Sequence, residues 1–171
     1  EIEPATRDAI QRLASTVTSA AEERQRDEIT RICSTERAGA GFRLLDDLGL
    51  FMLVFPEMEP TRGVEQPTNY HYYDVLGHSF AAVEALDWLV SEEPPATSPQ
   101  DEMWGELWSE MASLEGLREY FRDEVVPGTT RGALVKLCGL LHDIAKPQTK
   151  SFEDSGRMRF FGHSEKGAEM A

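Results

Sequence analysis

The chain has 171 residues, of which 40% are hydrophobic, and its 31 acidic and 17 basic residues give a formal net charge of −14. These values allow one domain, or one domain with a small neighbour. No apolar run approaches the ~20 residues with which a helix crosses a bilayer, so a membrane-spanning helix is excluded. A surface this acidic also disfavours nucleic-acid binding, since it repels phosphate wherever basic residues are not gathered in one place.

Residues 1–60 predict a small helical region. Apolar residues recur there at the three- and four-residue spacing of amphipathic helices. Gly49 is expected to end the third helix of this region, because glycine closes helices readily. The predicted elements are a helix opened by Pro4, helices over 22–33 and 35–48, and a short helical turn ended by Pro56.

Residues 61–171 predict a larger domain that is also helical. A loop over 59–69 leads into it, and Thr68 or Asn69 is expected to cap the next helix. The predicted helices cover 71–90, 103–125, 131–145 and a last segment that begins at Gly162-His163.

Turn-forming residues separate these helices. A polar, Pro-rich connection covers 91–102. Pro127-Gly128 is expected to end the predicted helix over 103–125. Thr130 should cap the following helix, and Pro147 should stop it. An Asp-Ser-Gly turn between two alternating runs predicts a short β-hairpin near 149–161. The sequence therefore predicts an all-α protein with one hairpin loop.

The cysteines and the N-terminus indicate the compartment. Cys33 and Cys138 both fall on apolar faces of predicted helices, so we expect two buried thiols and no disulfide. Nothing near Glu1 has the pattern of a secretion signal. We therefore expect a cytoplasmic protein, and a chain that begins with Glu rather than Met predicts an excised part of a longer one.

The clearest candidate for chemistry is the adjacent pair His142-Asp143, near the end of a predicted helix. Imidazole nitrogen and carboxylate oxygen together suit divalent ions such as Mn, Fe, Co, Ni, Zn or Mg. A helix C-terminus would explain the histidine alone as a capping cation, but it disfavours the aspartate. From the sequence alone, two interpretations of the His142-Asp143 pair stay open: two metal ligands, or a helix cap.

The other histidines are equally ambiguous on their own. His71, Asp74 and His78 have the spacing of one helix face, which fits a metal site or a polar edge of the bundle. His163 follows a glycine at a predicted helix start. Residues 142–166 hold five basic and four acidic residues, against 12 and 27 elsewhere, so an anionic substrate would be repelled least there.

Several motifs together resemble one known family. "HDIAKP" is preceded by "HYYDVLGHS" and followed by "FFGHSEKGA", which resembles the HD superfamily of metal-dependent phosphohydrolases. More narrowly, the chain resembles the HD-containing bacterial tRNA nucleotidyltransferases and poly(A) polymerase-like proteins. "EERQRDEITRICSTERAGAGFRLLDDLGLFMLVFPEM" is similar to the helical neck that follows the nucleotidyltransferase head of that family, and "VEQPTNYHYYDVLGH" to the entry of its HD domain.

The resemblance implies a divalent metal site. By matching motifs, His78, His142 and Asp143 would be metal ligands, and His163 would correspond to a ligand of a second ion. Lys146 would correspond to a lysine near the substrate phosphate, and Ala145 stands where the family usually has Gly. The family's final aspartate ligand would lie downstream of this chain, and its nucleotidyltransferase head is absent.

Two functions follow from the resemblance. The first is hydrolysis of phosphate mono- or diesters of nucleotides or RNA ends, with Asp143 and Lys146 catalytic and with Lys150 and Arg159 offsetting phosphate charge. The second is a non-catalytic scaffold that positions RNA, with tRNA bound through the full-length protein. Its candidate phosphate contacts are Arg24, Arg26, Arg31 and Arg37, each of which has acidic neighbours that would also explain it as a solvated helix face.

A third interpretation is a helical interaction domain that keeps the motifs without their function. Its three Trp residues and long apolar helices are adequately explained as core. Coincidental retention of His78, His142, Asp143 and Lys146 is the weak point of this interpretation.

Overall fold

The protein is described here by a computed structural model that covers residues 2–66, 72–91 and 102–171, with the backbone alone at 102–104. Its secondary structure is helical apart from two small antiparallel hairpins, so the predicted all-α class is confirmed. The predicted caps Thr68 and Asn69, and His71, lie outside the described residues. None of the described helices is long and apolar enough to cross a membrane.

The α-helices follow one another in short steps along the chain. They are α1 Pro4–Leu13, α2 Glu22–Cys33, α3 Ala38–Asp47, α4 Phe51–Val54, α5 Val75–Leu89, α6 Glu102–Ser113, α7 Leu117–Arg122, α8 Arg131–Leu141, α9 Lys146–Thr149 and α10 His163–Met170. Two 3-10 segments cover Ala14–Ser19 and Pro56–Thr61.

Each hairpin is a pair of very short strands. β1 (Glu124–Val126) pairs with β2 (Thr129–Thr130), and β3 (Lys150–Phe152) pairs with β4 (Met158–Phe160). The second hairpin is the one that the sequence predicts near 149–161, and that prediction is confirmed.

Several local signals in the sequence act as expected. α2 covers the predicted residues 22–33, and Gly49 has a φ of 73° just after α3. The Thr130 hydroxyl accepts a hydrogen bond from the Ala133 N–H at 3.2 Å and so caps α8. A side-chain acceptor at this position compensates for an N–H group that has no partner within the helix.

The predicted helix over 103–125 is wrong as one element. α6 ends at Ser113, Gly116 has a φ of 77°, and a separate α7 follows. The left-handed backbone at Gly116 breaks the helix, although the apolar spacing continues across it. Residues 124 and 125, placed at the end of this helix by the sequence pattern, belong to β1 instead.

The ends of two other helices also differ from the prediction. α5 begins at Val75 because Asp74 caps it, with Oδ1 accepting from the Gly77 N–H at 2.7 Å. α8 ends at Leu141 rather than at 145. Pro147 does not stop α8, since it lies in the first turn of α9, where a missing N–H costs nothing.

The two cysteines have different surroundings. Both are free thiols, as predicted, and Cys33 is buried. The prediction that Cys138 is also buried is wrong, because its side chain lies on the exposed side of α8.

The core is a contiguous apolar cluster built around three phenylalanines. Phe51 packs edge to face against Phe42 and Phe80, with ring centroids 6.2 and 5.0 Å apart. Such pairs add to the gain from burying their area. Because the cluster draws on residues from both sides of residue 60, the division into 1–60 and 61–171 stays a prediction. Other buried members are Ile29, Cys33, Ala38, Met58, Leu76, Val83, Ala133, Leu140 and Ile144.

A buried ion pair crosses this core between α5 and α8. Lys136 Nζ lies 2.8 Å from Asp87 Oδ1, and the two residues are 4% and 7% exposed. Lys136 also donates to the Thr35 carbonyl at 2.5 Å, and Asp87 Oδ2 accepts from the Gly39 N–H at 2.8 Å. The pair therefore ties the start of α3 to both longer helices.

Gly39 allows α3 to approach α5 closely. A Cβ added there would lie 2.8 Å from the backbone N of Glu84 and 3.0 Å from its Cα. Both atoms belong to the backbone of α5, so they cannot move aside without moving the helix.

We expect Gly39→Ala to lower the free energy of unfolding by about 1–3 kcal/mol, the usual cost of overpacking a core. The matched control is Gly105→Ala in α6, where an added Cβ would meet no atom within 4 Å. That variant should be neutral or stabilised by up to about 1 kcal/mol from helix propensity. Urea denaturation of both variants checks this, and equal stability of the two would contradict the close approach.

Candidate metal centre

The centre forms where α8 ends. His142 is the C-cap of α8, and Asp143 lies in the turn that leads to α9. Backbone bonds from Ile144 N to Leu141 O and from Lys146 N to Asp143 O, both 3.0 Å, hold this turn. Ile144 is buried beside Asp143, so the turn is fixed by the core and presents its polar residues to α5.

His78 on α5 completes a three-residue cluster. The Nε2 atoms of His78 and His142 lie 3.5 and 3.0 Å from Asp143 Oδ2. One ligand atom from each residue falls within 4.8 Å of the others. The sequence predicts these three residues as metal ligands, and the fold brings them together.

Backbone carbonyls orient two of the histidine rings. His142 Nδ1 lies 2.7 Å from the Gly139 carbonyl, and His163 Nδ1 lies 2.6 Å from the Phe160 carbonyl. A carbonyl oxygen only accepts, so each Nδ1 must carry the proton. The Nε2 atoms face Asp143 and are therefore the ring nitrogens that would bind a metal once they are deprotonated.

Asp143 is the electrostatic focus of the cluster. It is 2% exposed, and Lys146 Nζ lies 2.7 Å from its Oδ2 while donating to Gln66 Oε1 at 2.6 Å. Burial opposes ionisation of Asp143, but His142 and Lys146 outweigh it and lower the pKa of the carboxyl to about 2. The contact with Asp143 raises the pKa of His142 in turn.

The cluster fits a divalent cation. Asp143 Oδ2 is buried and faces Lys146 Nζ at 2.7 Å and the Nε2 atoms of His142 and His78 at 3.0 and 3.5 Å. Buried carboxylates are either paired with cations or coordinate metal ions. Two imidazole nitrogens beside it give the mixed nitrogen and oxygen ligand set that Mn, Fe, Co, Ni and Zn accept.

The remaining predicted site residues divide into two groups. His163 Nε2 lies 3.7 Å from Asp143 Oδ1, so it borders the cluster. Lys150 and Arg159 lie on the β3–β4 hairpin, with Arg159 Nε bonded to Glu153 Oε1 at 2.7 Å. Both follow α9 closely in the chain and share its side of the fold.

The predicted arginines of α2 lie elsewhere. Arg24 lines a cavity of about 520 Å³ that no residue of the cluster lines. Arg31 pairs with Glu28 at 2.8 Å, and Arg26 approaches Asp27 at 3.4 Å. These pairs support the interpretation of Arg26 and Arg31 as a solvated helix face.

Two residues beside the cluster, Gln66 and Phe160, are not among the candidates that the sequence predicts. Gln66 anchors Lys146, and Phe160 both holds His163 and lies 5.4 Å from Lys146 Nζ. No periodicity or motif spacing singles out either residue. Asp74, considered above as part of a polar helix face, caps α5 and accepts from the Gly63 N–H at 2.7 Å.

Family matches cover both ends of the chain. Residues 1–61 match the family described as "Probable RNA and SrmB- binding site of polymerase A", and residues 106–171 match the HD domain. The second match contains the His142-Asp143 pair, whereas His78 lies between the two matched segments. The helical fold and the second match define an HD-domain protein.

Curated relatives make this assignment narrower. The chain is 31% identical over 152 residues to the CC-adding tRNA nucleotidyltransferase of Thermus thermophilus, covering 88% of this chain and 26% of the relative. It is 29% identical over 175 residues to the A-adding tRNA nucleotidyltransferase of Deinococcus radiodurans, covering 99% of this chain and 31% of the relative. The chain thus spans about a quarter to a third of the relatives it matches. It belongs to the HD-domain-containing tRNA nucleotidyltransferase and poly(A) polymerase-like family, as its motifs predict.

The low pKa of Asp143 predicts how the stability of the protein depends on pH. A carboxyl whose pKa falls from 3.8 to about 2 on folding stabilises the protein above pH 3.8, and the gain is lost as pH falls through about 2. In the presence of a chelator, Asp143→Asn should therefore cost about 2 kcal/mol near neutral pH and progressively less below pH 4.

Urea denaturation across this pH range measures the effect. The matched control is Asp154→Asn on the exposed turn of the β3–β4 hairpin, which should change stability by less than about 0.5 kcal/mol. A constant difference between wild type and Asp143→Asn down to pH 2 would contradict the assignment.

Proposed function

We propose that the chain is a metal-dependent phosphohydrolase module that cleaves phosphate mono- or diesters of nucleotides or RNA ends. The observation that carries the proposal is the cluster of the buried Asp143 carboxylate and the Nε2 atoms of His78 and His142, whose ligand atoms lie within 4.8 Å of one another. These three residues would hold one divalent ion, which is Mg, Mn, Fe, Co, Ni or Zn.

The ion would supply polarisation of a phosphoryl oxygen and a more acidic water as the nucleophile. The protein contributes the geometry. His142 keeps a fixed ring because its Nδ1 donates to Gly139, and Asp143 keeps its charge because its pKa is low. Ligands positioned in advance by the fold lose little freedom when they bind.

Positive charge beside the cluster suits a phosphate substrate. Lys146 Nζ is held between Asp143 and Gln66, so a cation lies within reach of a bound phosphoryl group. Lys150 and Arg159 on the adjacent hairpin would offset further phosphate charge. His163, at 3.7 Å from the second oxygen of Asp143, would bind a second ion or orient the substrate.

We expect His142→Ala to abolish both metal binding and phosphate-ester hydrolysis. Losing only a hydrogen-bond partner of a metal ligand lowers affinity about 10- to 100-fold, and losing the ligand itself should cost at least as much. Elemental analysis of the purified protein, together with hydrolysis of p-nitrophenyl phosphate, measures both effects.

The matched control is His163→Ala, which should keep about one ion because His78, His142 and Asp143 are intact. Circular dichroism would establish that both variants are folded. Metal content and hydrolysis that are unchanged in His142→Ala would refute the proposed centre.

A second candidate function is a non-catalytic role in positioning tRNA. The match of residues 1–61 to an RNA-binding family favours it, as do relatives that are tRNA nucleotidyltransferases. In this case residues 1–60 would act as a neck that contacts RNA, and residues 61–171 as an HD scaffold. Both candidates assume the cytoplasmic location, which stays a prediction.

The tRNA role predicts a salt-dependent affinity that Arg24 contributes to. Arg24→Ala should weaken tRNA binding and reduce the slope of log affinity against log salt by about one. Arg31→Ala is the matched control, because Arg31 is already paired with Glu28 at 2.8 Å and should contribute little. Filter binding over a salt series measures both slopes, and an equal effect of the two variants would count against a specific contact at Arg24.

A further inference from the structure

The β3–β4 hairpin begins and ends beside the metal centre. β3 starts directly after α9, which carries Lys146, and β4 ends at Phe160, whose carbonyl accepts from His163. Lys150 pairs with Phe160, and Phe152 pairs with Met158. Residues paired directly across an antiparallel ladder share one face of the sheet, so these four side chains form one face.

Cations and aromatic rings alternate along this face. Lys146 Nζ lies 5.4 Å from the Phe160 ring, and Lys150 Nζ lies 5.9 Å from the Phe152 ring. The row of cations and rings therefore begins at Lys146, which contacts Asp143, and ends at Phe152, which is 65% exposed. A phenylalanine this exposed offers a flat apolar surface with no packing role for most of its area.

The charge of the hairpin differs from that of the rest of the chain. Residues 146–161 hold four basic and two acidic residues, whereas the other residues include 13 basic and 29 acidic. One of the two acidic residues, Glu153, is already paired with Arg159. Lys146 is likewise paired with Asp143, which leaves Lys150 and Arg157 against Asp154. The exposed ring thus lies on a hairpin with a small positive charge in an otherwise acidic protein, which complements a polyanion.

We propose that this face, formed by Lys150, Phe152, Met158 and Phe160, binds the single-stranded end of an RNA and leads its phosphate to the metal centre. An aromatic side chain that stacks a base, flanked by a cation for the backbone, is how proteins hold single strands without sequence preference. This inference rests on the proposed phosphate-ester hydrolysis, and it names the substrate class as single-stranded RNA ends. Phe152 acts in it as a positioning residue for the base next to the reacting phosphate.

The test is binding of a fluorescein-labelled oligoadenylate by anisotropy, at low salt and with a chelator present, so that neither metal nor turnover is needed. Phe152→Ala should weaken binding about 10-fold or more, which corresponds to the loss of one base stack. The matched control is Phe161→Ala, which also removes an exposed ring of the hairpin but lies beside Arg159, away from this face. It should change the affinity less than about 2-fold.

A second readout separates this inference from the proposed hydrolysis. Metal-loaded Phe152→Ala should hydrolyse p-nitrophenyl phosphate like the wild type, while its KM for a 3′-phosphorylated oligoadenylate rises with little change in kcat. No oligoadenylate binding by the wild type, equal losses in both phenylalanine variants, or equal affinity for a duplex of the same length would each overturn the inference. Hydrolysis lost for both substrates in the wild type would instead refute the catalytic proposal, and the binding result would stand alone.

Discussion

The buried ion pair between Asp87 and Lys136 sets the position of α5 relative to α8. Two charges this deeply buried are costly unless both are fully compensated. Here the compensation includes the Thr35 carbonyl and the Gly39 N–H, so the turn between α2 and α3 is drawn into the same arrangement. His78 lies on α5 and His142 ends α8, and the separation of these two imidazoles therefore depends on a contact far from either.

The candidate metal centre places a carboxylate at the C-terminal end of a helix, a position that normally disfavours negative charge. The C-terminal end of α8 carries partial negative charge, which suits His142 and disfavours the carboxylate of Asp143. The turn places Asp143 beyond the last helical residue, with Lys146 and two imidazoles around it. The local cost is thus offset by His142 at the same helix end and by Lys146 and His78 from α9 and α5, which is typical of sites whose residues serve function before stability.

Local signals in the sequence predict the elements well where they act within a few residues. The cap at Thr130, the bounds of α2 and the Asp-Ser-Gly hairpin belong to this kind. The motifs around His142 also indicate the family. The break at Gly116 is hidden, because apolar residues keep helical spacing on both sides of it. The anchoring of Lys146 by Gln66 joins residues 80 positions apart, and only the tertiary fold defines it.

The two cysteine thiols differ in reactivity because their surroundings differ. Burial raises the pKa of the Cys33 thiol to about 11, so that it is neither accessible nor ionised at ordinary pH. Cys138 is exposed and lies about one helical turn before His142. A maleimide fluorophore would therefore attach at Cys138 alone, and the unmodified protein offers a single reporter position next to the candidate metal centre.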